Sequence, residues 1–353
     1  MALPVIKISI LGASSSGKTM FMHGMYATLS MGGRGYFLGT ANPNDDLRLT
    51  RQWELLRRQG KVPEPTQVNQ EQSFEFVLNK GFDPLVRLDY VDFRGGVLDG
   101  MDDEAEDVAK IQQRLLSTDS IYLIIDGVQV ASWIRTIGDE PDADVTISRA
   151  YDPMLIGRLG RFLGDAVRSR RQAGRLAPSA VLLVTKADLL EELTGMKRGE
   201  ALRILLRRLE SMFPALFFDG LTTLVCPVQL GNLGLNGPTV GQAVKLDPVG
   251  LSVPFMFSLY YYLTETLAND RTKLDEFNAA RGAGAEQLAA LRRTFGGGLF
   301  AGSRIARAQK DIADSELRIQ EAAQAISRND GLLTDLTEQL RGYPIIKDGK
   351  LLV

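Results

Sequence analysis

The 353-residue chain has one cysteine, Cys226, and one histidine, His23. A lone cysteine cannot form an intrachain disulfide, so nothing points to an oxidising compartment. A lone histidine excludes a multi-histidine zinc site and a hydrolase built on a histidine cluster; His23 reads as an ordinary helix residue. An excess of charge of one sign is also missing. The 41 Lys+Arg and 43 Asp+Glu leave a formal net charge of −2, which supplies no overall pull toward nucleic acid or an anionic membrane. The start, Met1-Ala2-Leu3-Pro4-Val5, lacks a basic region and an extended apolar stretch, so no signal peptide is expected and the chain reads as cytoplasmic. The most apolar run, residues 253–263, is too short and too aromatic-polar to span a bilayer. With Pro254 in its first turn, it reads as a helix packed on a sheet.

What is present begins at residues 12–19, G-A-S-S-S-G-K-T, directly after the apolar run 5–11. This is the phosphate-binding spacing G-x-x-x-x-G-K-[ST] between a strand and a helix. Gly12 and Gly17 allow backbone angles that a Cβ would forbid. The N–H groups of the loop, through Ser14, Ser15 and Ser16, can then turn inward on a polyphosphate, helped by the positive end of the next helix. Lys18 supplies a point charge to the β- and γ-phosphates, and the Thr19 hydroxyl suits Mg²⁺. A second pattern follows the buried run 181–184: Thr185-Lys186-Ala187-Asp188. A carboxylate at Asp188 can accept from both the ring N–H and the exocyclic amine of guanine, and adenine offers the opposite pattern. Lys186 can lie along the base. Between the two, the alternating strand 85–91 ends in Asp92-Phe93-Arg94-Gly95.

A P-loop, D-x-x-G and T-K-x-D in this order resemble the Ras-like, translation-factor-related class of P-loop GTPases over roughly residues 4–268, with insertions. The resemblance implies GTP/GDP as ligand and Mg²⁺ as cofactor. Asp92 would hold the metal through water, and the Gly95 N–H would bond the γ-phosphate. A switch threonine should precede the hairpin 73–92; Thr66 occupies that place, with Thr40 and Thr50 as rivals. It would serve both Mg²⁺ and catalysis. The last family motif corresponds to Cys226 at the end of strand 222–226. The long segment before the switch threonine resembles the double-GTPase family of prokaryotic conflict-system operons.

Departures from the Ras pattern bear on catalysis. Gly96 stands where relatives carry a water-positioning glutamine, and Ser14 adds a side chain where many have glycine. Slow intrinsic turnover is therefore expected. Arg94 is a candidate arginine in cis, and the acidic run Asp99, Asp102, Asp103 and Glu104 another source of water-orienting groups. Two other classes stay open. One is a P-loop ATPase or nucleotide kinase, for which arginines near 168–171 or 207–208 could form a lid. The other is a GTP-binding scaffold without hydrolysis.

The alternation of strands and helices predicts an α/β domain with a mostly parallel sheet and helices on both faces. Helices are expected near 18–30, 45–59, 102–116, 152–173 and 197–212, and an irregular insertion at 127–150. Residues 1–268 would form the nucleotide-binding domain and 269–342 a helical hairpin or coiled-coil extension. Ile305, Ile312, Ile319, Ile326, Leu333 and Leu340 recur every seven residues. Small residues at the intervening positions favour an antiparallel hairpin about Gly296-Gly297-Gly298 over a parallel zipper. Gly331 is expected to weaken or end the second helix. Residues 343–353, with Asp348-Gly349 between apolar pairs, read as a short β-hairpin. A protein effector, a homodimer or a heteromer would be the partners.

Overall fold

A computed structural model of the chain describes residues 3–63, 72–93, 95–96, 105–137, 152, 154–231, 233–295 and 302–352. Contact density divides them into two compact units, Met1–Ser258 with Gly342–Val353, and Leu259–Arg341.

The first unit is built on strands β1 (Val5–Gly12), β2 (Tyr36–Thr40), β3 (Gln72–Lys80), β4 (Asp83–Asp92), β5 (Ser120–Asp126), β6 (Ser179–Thr185), β7 (Thr222–Pro227), β8 (Ile345–Lys347) and β9 (Lys350–Leu352). They form one sheet in the order β2-β3-β4-β1-β5-β6-β7-β8-β9. β4, β1, β5, β6 and β7 run parallel, and β2–β3, β3–β4, β7–β8 and β8–β9 are antiparallel pairs. The central strands are buried on both faces, so their sequences are continuous apolar runs without alternation. The helices are α1 (Lys18–Ser30), α2 (Pro43–Gln59), α3 (Ala105–Ser117), α4 (Gly127–Ile137), α5 (Ile156–Gln172), α6 (Leu189–Thr194), α7 (Arg198–Met212), α8 (Val253–Phe295) and α9 (Gly302–Leu340).

Both faces of the sheet are covered. Ile121, Leu123 and Ile125 of β5 join a cluster with Ile111 and Leu115 of α3, Ile134 of α4, Leu159 and Leu163 of α5, and Leu205 and Leu209 of α7. Each such side chain, fully buried, contributes roughly 1.5–3 kcal/mol. On the opposite face Tyr122 meets Phe21 of α1 edge-on at 6.3 Å and Phe255 at the start of α8 at 5.9 Å, and Tyr90 stacks on Phe255 at 6.2 Å. The α/β class with a mostly parallel sheet and helices on both faces is therefore as expected.

Two local readings are corrected, and one strand is added. Residues 127–137 form a helix rather than an irregular segment, because Val130, Ala131 and Ile134 line one helical face and bury it; residues 138–151 lie outside the described part. Residues 36–40 form the edge strand β2, paired with β3 from Tyr36↔Lys80 to Thr40↔Phe76. Gly331 does not end its helix: α9 runs to Leu340, past buried Leu336.

In the second unit, Arg271 pairs with Asp330 at 3.4 Å, Arg318 lies over the Phe277 ring at 5.8 Å, and a Cβ on Gly284 would come within 3.1 Å of Ile312. These pairs run in opposite chain directions, so this part of α8 and α9 is antiparallel. Along α9 the residues at 305, 308, 312, 315, 319, 322, 326, 329, 333, 336 and 340 are all buried or half-buried and form a seam, joined by half-buried residues at 325, 332, 335 and 339. Among the described residues no helix is long and apolar enough to cross a membrane.

The single histidine supports a clean pH prediction. His23 faces α2 and is 3% exposed. Burial, reinforced by the charge of Arg48 and opposed by the Leu49 backbone, pulls its pKa from 6.5 down to about 4. Between those values the unfolded chain binds the proton and the folded one does not, so stability falls as pH drops from 6.5 toward 4. The loss attributable to His23 should reach about 3 kcal/mol. Urea titrations of the wild type and His23→Gln across this range should differ by that slope. A lone imidazole NMR signal titrating near its ordinary pKa would refute the prediction.

Candidate functional site

A cavity of about 1230 Å³ lies at the carboxyl ends of the parallel strands, where open α/β sheets take ligands. Its walls come from the loop after β1, the residues after β4, β6 and β7, and Val62 and Pro63 after α2.

The loop after β1 has the conformation its glycines require. A Cβ on Gly12 would stand 2.8 Å from the Ile124 carbonyl and 2.9 Å from Ser16 Oγ. Gly17, at φ 94°, precedes α1, and Ser15 is also left-handed at φ 59°. Turns of this kind gather main-chain N–H groups into an anion-binding hollow, and the helix dipole adds to it. Lys18 Nζ donates to the carbonyls of Gly12 at 2.8 Å and Ala13 at 2.7 Å, which holds the ammonium against the loop.

Asp92, the last residue of β4, is fully buried, and Thr19 Oγ1 donates to its Oδ2 at 3.4 Å. Burial pushes the Asp92 carboxyl up to about 6, against the Lys18 charge and the Thr19 hydroxyl, which lower it. Asp92 Oδ1 is buried without a hydrogen-bond partner. An orphaned carboxylate oxygen beside a hydroxyl is the donor set of a hard divalent cation, so these residues fit Mg²⁺. Beyond Asp92, Gly95 rests on the loop backbone. A Cβ there would come within 2.4 Å of Ser14 N and 2.6 Å of the Ala13 carbonyl carbon, so no other residue fits in this arrangement.

The turn after β6 is tied to the same loop. Thr185 Oγ1 donates to Ser16 O at 2.6 Å and Ile125 O at 3.3 Å. Lys186, left-handed at φ 50°, places Nζ 2.5 Å from Asp126 Oδ2 and 3.3 Å from Ser15 O. Asp188 stands at the start of α6, yet its side chain caps nothing there. Burial raises its pKa, with the charge of Arg198 among the opposing effects.

Of the expected site residues, Ser14, Ser15, Gly17, Lys18, Thr19, Gly95, Thr185, Lys186 and Asp188 line the cavity. Gly12, Ser16 and Asp92 stand behind them. Thr66 and Arg94, like Asp99, Asp102, Asp103 and Glu104, lie outside the described residues. The rivals Thr40 and Thr50 bond to Asn42 O and Asp46 Oδ1 and are not among the lining residues. Cys226 is fully buried within β7, opposite Leu183, with Sγ 3.6 Å from Gly250 O, and is not among the lining residues. Because β7 continues through Pro227, Val228 and Gln229 reach the cavity in its place.

Sequence reasoning also missed Asp126 and the stretch from Leu230 to Pro238, which supplies much of the far wall. The glycines at 231, 234 and 237 were its available signal; all three have positive φ. The residues that follow it are stitched to α2, with Gly241 N donating to Gln59 O at 2.7 Å and Val244 N to Arg57 O at 2.8 Å.

No protein-family model matches the chain, and no curated protein matches it. Among solved structures, it is similar to the S. cerevisiae Ski7 GTPase-like domain bound to GTP, at 14% identity over 75% of this chain and 50% of that one, with a TM-score of 0.36. The chain thus spans about half the length of that structure. It is also similar to the FeoB G-domain from Methanococcus jannaschii, at 11% identity over 64% of this chain and 87% of that one, with a TM-score of 0.27.

Proposed function

We propose that the protein is a cytoplasmic, Mg²⁺-dependent GTP-binding switch that hydrolyses GTP slowly. The observation that carries this reading is the convergence on one cavity of the Gly12–Thr19 loop, the buried Asp92 beside Thr19, and Thr185–Asp188 bonded to the loop through Thr185 and Lys186. Main-chain N–H groups and Lys18 would bind the phosphates, and Asp188 would accept from the guanine edge. Mg²⁺, held by Thr19 and Asp92 with Thr66 completing the set, would neutralise developing charge on the phosphates. Gly95 would offer its N–H to the γ-phosphate, and Gly96 has no side chain to orient water. Arg94 is the cis group proposed to assist turnover. The phosphate-sensing segments around Thr66 and Gly95 would then report the nucleotide state to the C-terminal helices or a protein partner, in a homodimer or heteromer. Layout before Thr66 favours a relation to the double-GTPase family of prokaryotic conflict systems.

The kinase alternative is weakened, since Arg168, Arg170, Arg171, Arg207 and Arg208 are not among the residues lining the cavity. Calorimetry on nucleotide-stripped protein with Mg²⁺ tests the reading. GDP and a non-hydrolysable GTP analogue should bind at least about 100-fold more tightly than ADP and the ATP analogue. Equal binding of adenine nucleotides would overturn it.

A further inference from the structure

Beside Asp188 the cavity wall carries a polar side chain that the motifs do not account for. Gln229 follows β7 and lines the cavity with Thr185, Lys186 and Asp188. It is held next to the Thr185–Asp188 turn by backbone bonds: Val228 N donates to Val184 O at 2.8 Å, and Ala187 N to Val228 O at 3.2 Å. Its side chain is fixed by Arg198, the first residue of α7, whose Nη1 donates to Gln229 Oε1. A guanidinium has five donors and no acceptor. The amide atom it engages must therefore be the oxygen, which leaves the NH₂ group on the other branch. Among the described residues that NH₂ has no partner. Arg198 is not itself part of the lining; its charge also favours the ionised form of Asp188. One arginine therefore orients an amide and helps keep a neighbouring carboxylate charged.

Guanine, a 2-amino-6-oxopurine, presents two donors, N1–H and the 2-amino group, next to an acceptor, the 6-oxo oxygen. A carboxylate suits the two donors, and the acceptor needs a donor beside it. The main-chain N–H of Gln229 cannot serve, because it already donates to Val249 O at 3.2 Å. We propose that Gln229, oriented by Arg198, is a second base-reading residue, whose amide NH₂ donates to the 6-oxo group of a guanine that faces Asp188. The inference rests on the guanine-nucleotide reading above.

The test compares three nucleotides on the nucleotide-stripped full chain with Mg²⁺: GDP, ADP and 2-aminopurine riboside 5′-diphosphate. The last keeps the 2-amino group and lacks the 6-oxo oxygen and the N1 proton. Gln229→Ala should weaken GDP binding about tenfold and change the 2-aminopurine nucleotide less than about twofold. Arg198→Ala should narrow the preference for GDP over the 2-aminopurine nucleotide in the same direction. Unaltered binding of the 2-aminopurine nucleotide shows that the variant is folded and its phosphate site intact. Equal losses for both nucleotides would mark Gln229 as a structural residue and overturn the inference, as would no loss for either. If the wild type itself prefers GDP no more than ADP, the guanine reading falls and this inference with it. That failure is read on the unaltered protein, so the two are distinguishable.

Discussion

Asp188→Ala is expected to lower GDP affinity by roughly two to three orders of magnitude while leaving the much weaker ADP binding nearly unchanged. Asp188 sits at the start of α6, where an aspartate commonly accepts from the helix N–H groups, but its side chain makes no such bond. Its carboxylate is half-buried, and burial raises its pKa against the pull of Arg198. A half-buried carboxylate that does not cap its helix is costly to keep, and a ligand with two adjacent donors removes that cost. Adenine cannot do so, which is why the two nucleotides should respond differently. Calorimetric titration of both against wild type and variant reads the difference directly. A parallel fall in both affinities would mean that Asp188 supports the turn structurally and reads no base.

Lys18→Met should have a comparable effect at the other end of the cavity. Lys18 is 7% exposed, and its ammonium is gripped by the Gly12 and Ala13 carbonyls at 2.8 and 2.7 Å. In this position it gathers the loop, and its charge favours the ionised form of Asp92. Replacing it with an uncharged chain of similar length removes the phosphate counter-charge and raises the Asp92 pKa further, which disfavours a divalent cation. Binding of a non-hydrolysable GTP analogue should fall by roughly two orders of magnitude, more than GDP does, and single-turnover hydrolysis should drop to background. Unchanged hydrolysis would rule out the phosphate-binding role.

Much of the fold was legible because its signals are local. Runs such as 121–125 and 181–184 are continuous and apolar, as strands buried on both faces must be, and the hairpin of β3 and β4 follows from alternation on either side of Lys80-Gly81-Phe82-Asp83. β2 was missed because its five residues follow a glycine-rich stretch and are a strand only through β3. The helix at 127–137 was missed because its apolar face is short and gains its meaning from the cluster it enters. β7 runs one residue past the expected strand end at Cys226, because Pro227 continues it.

The sequence by itself determined the local chemistry: the spacing of Gly12, Gly17, Lys18 and Thr19, the Asp92 and Thr185–Asp188 patterns, the heptad seam of α9, and the turn at Asp348-Gly349. These depend on backbone freedom and side-chain period over a few residues. Only the tertiary structure decided which distant groups meet. It brought Thr185 Oγ1 to 2.6 Å from Ser16 O, left Asp92 Oδ1 buried without a partner, set Arg198 against Gln229, and added β8 to the sheet beside β7. Such contacts join residues far apart in sequence and are fixed by strand register and burial, so no local pattern in the chain records them.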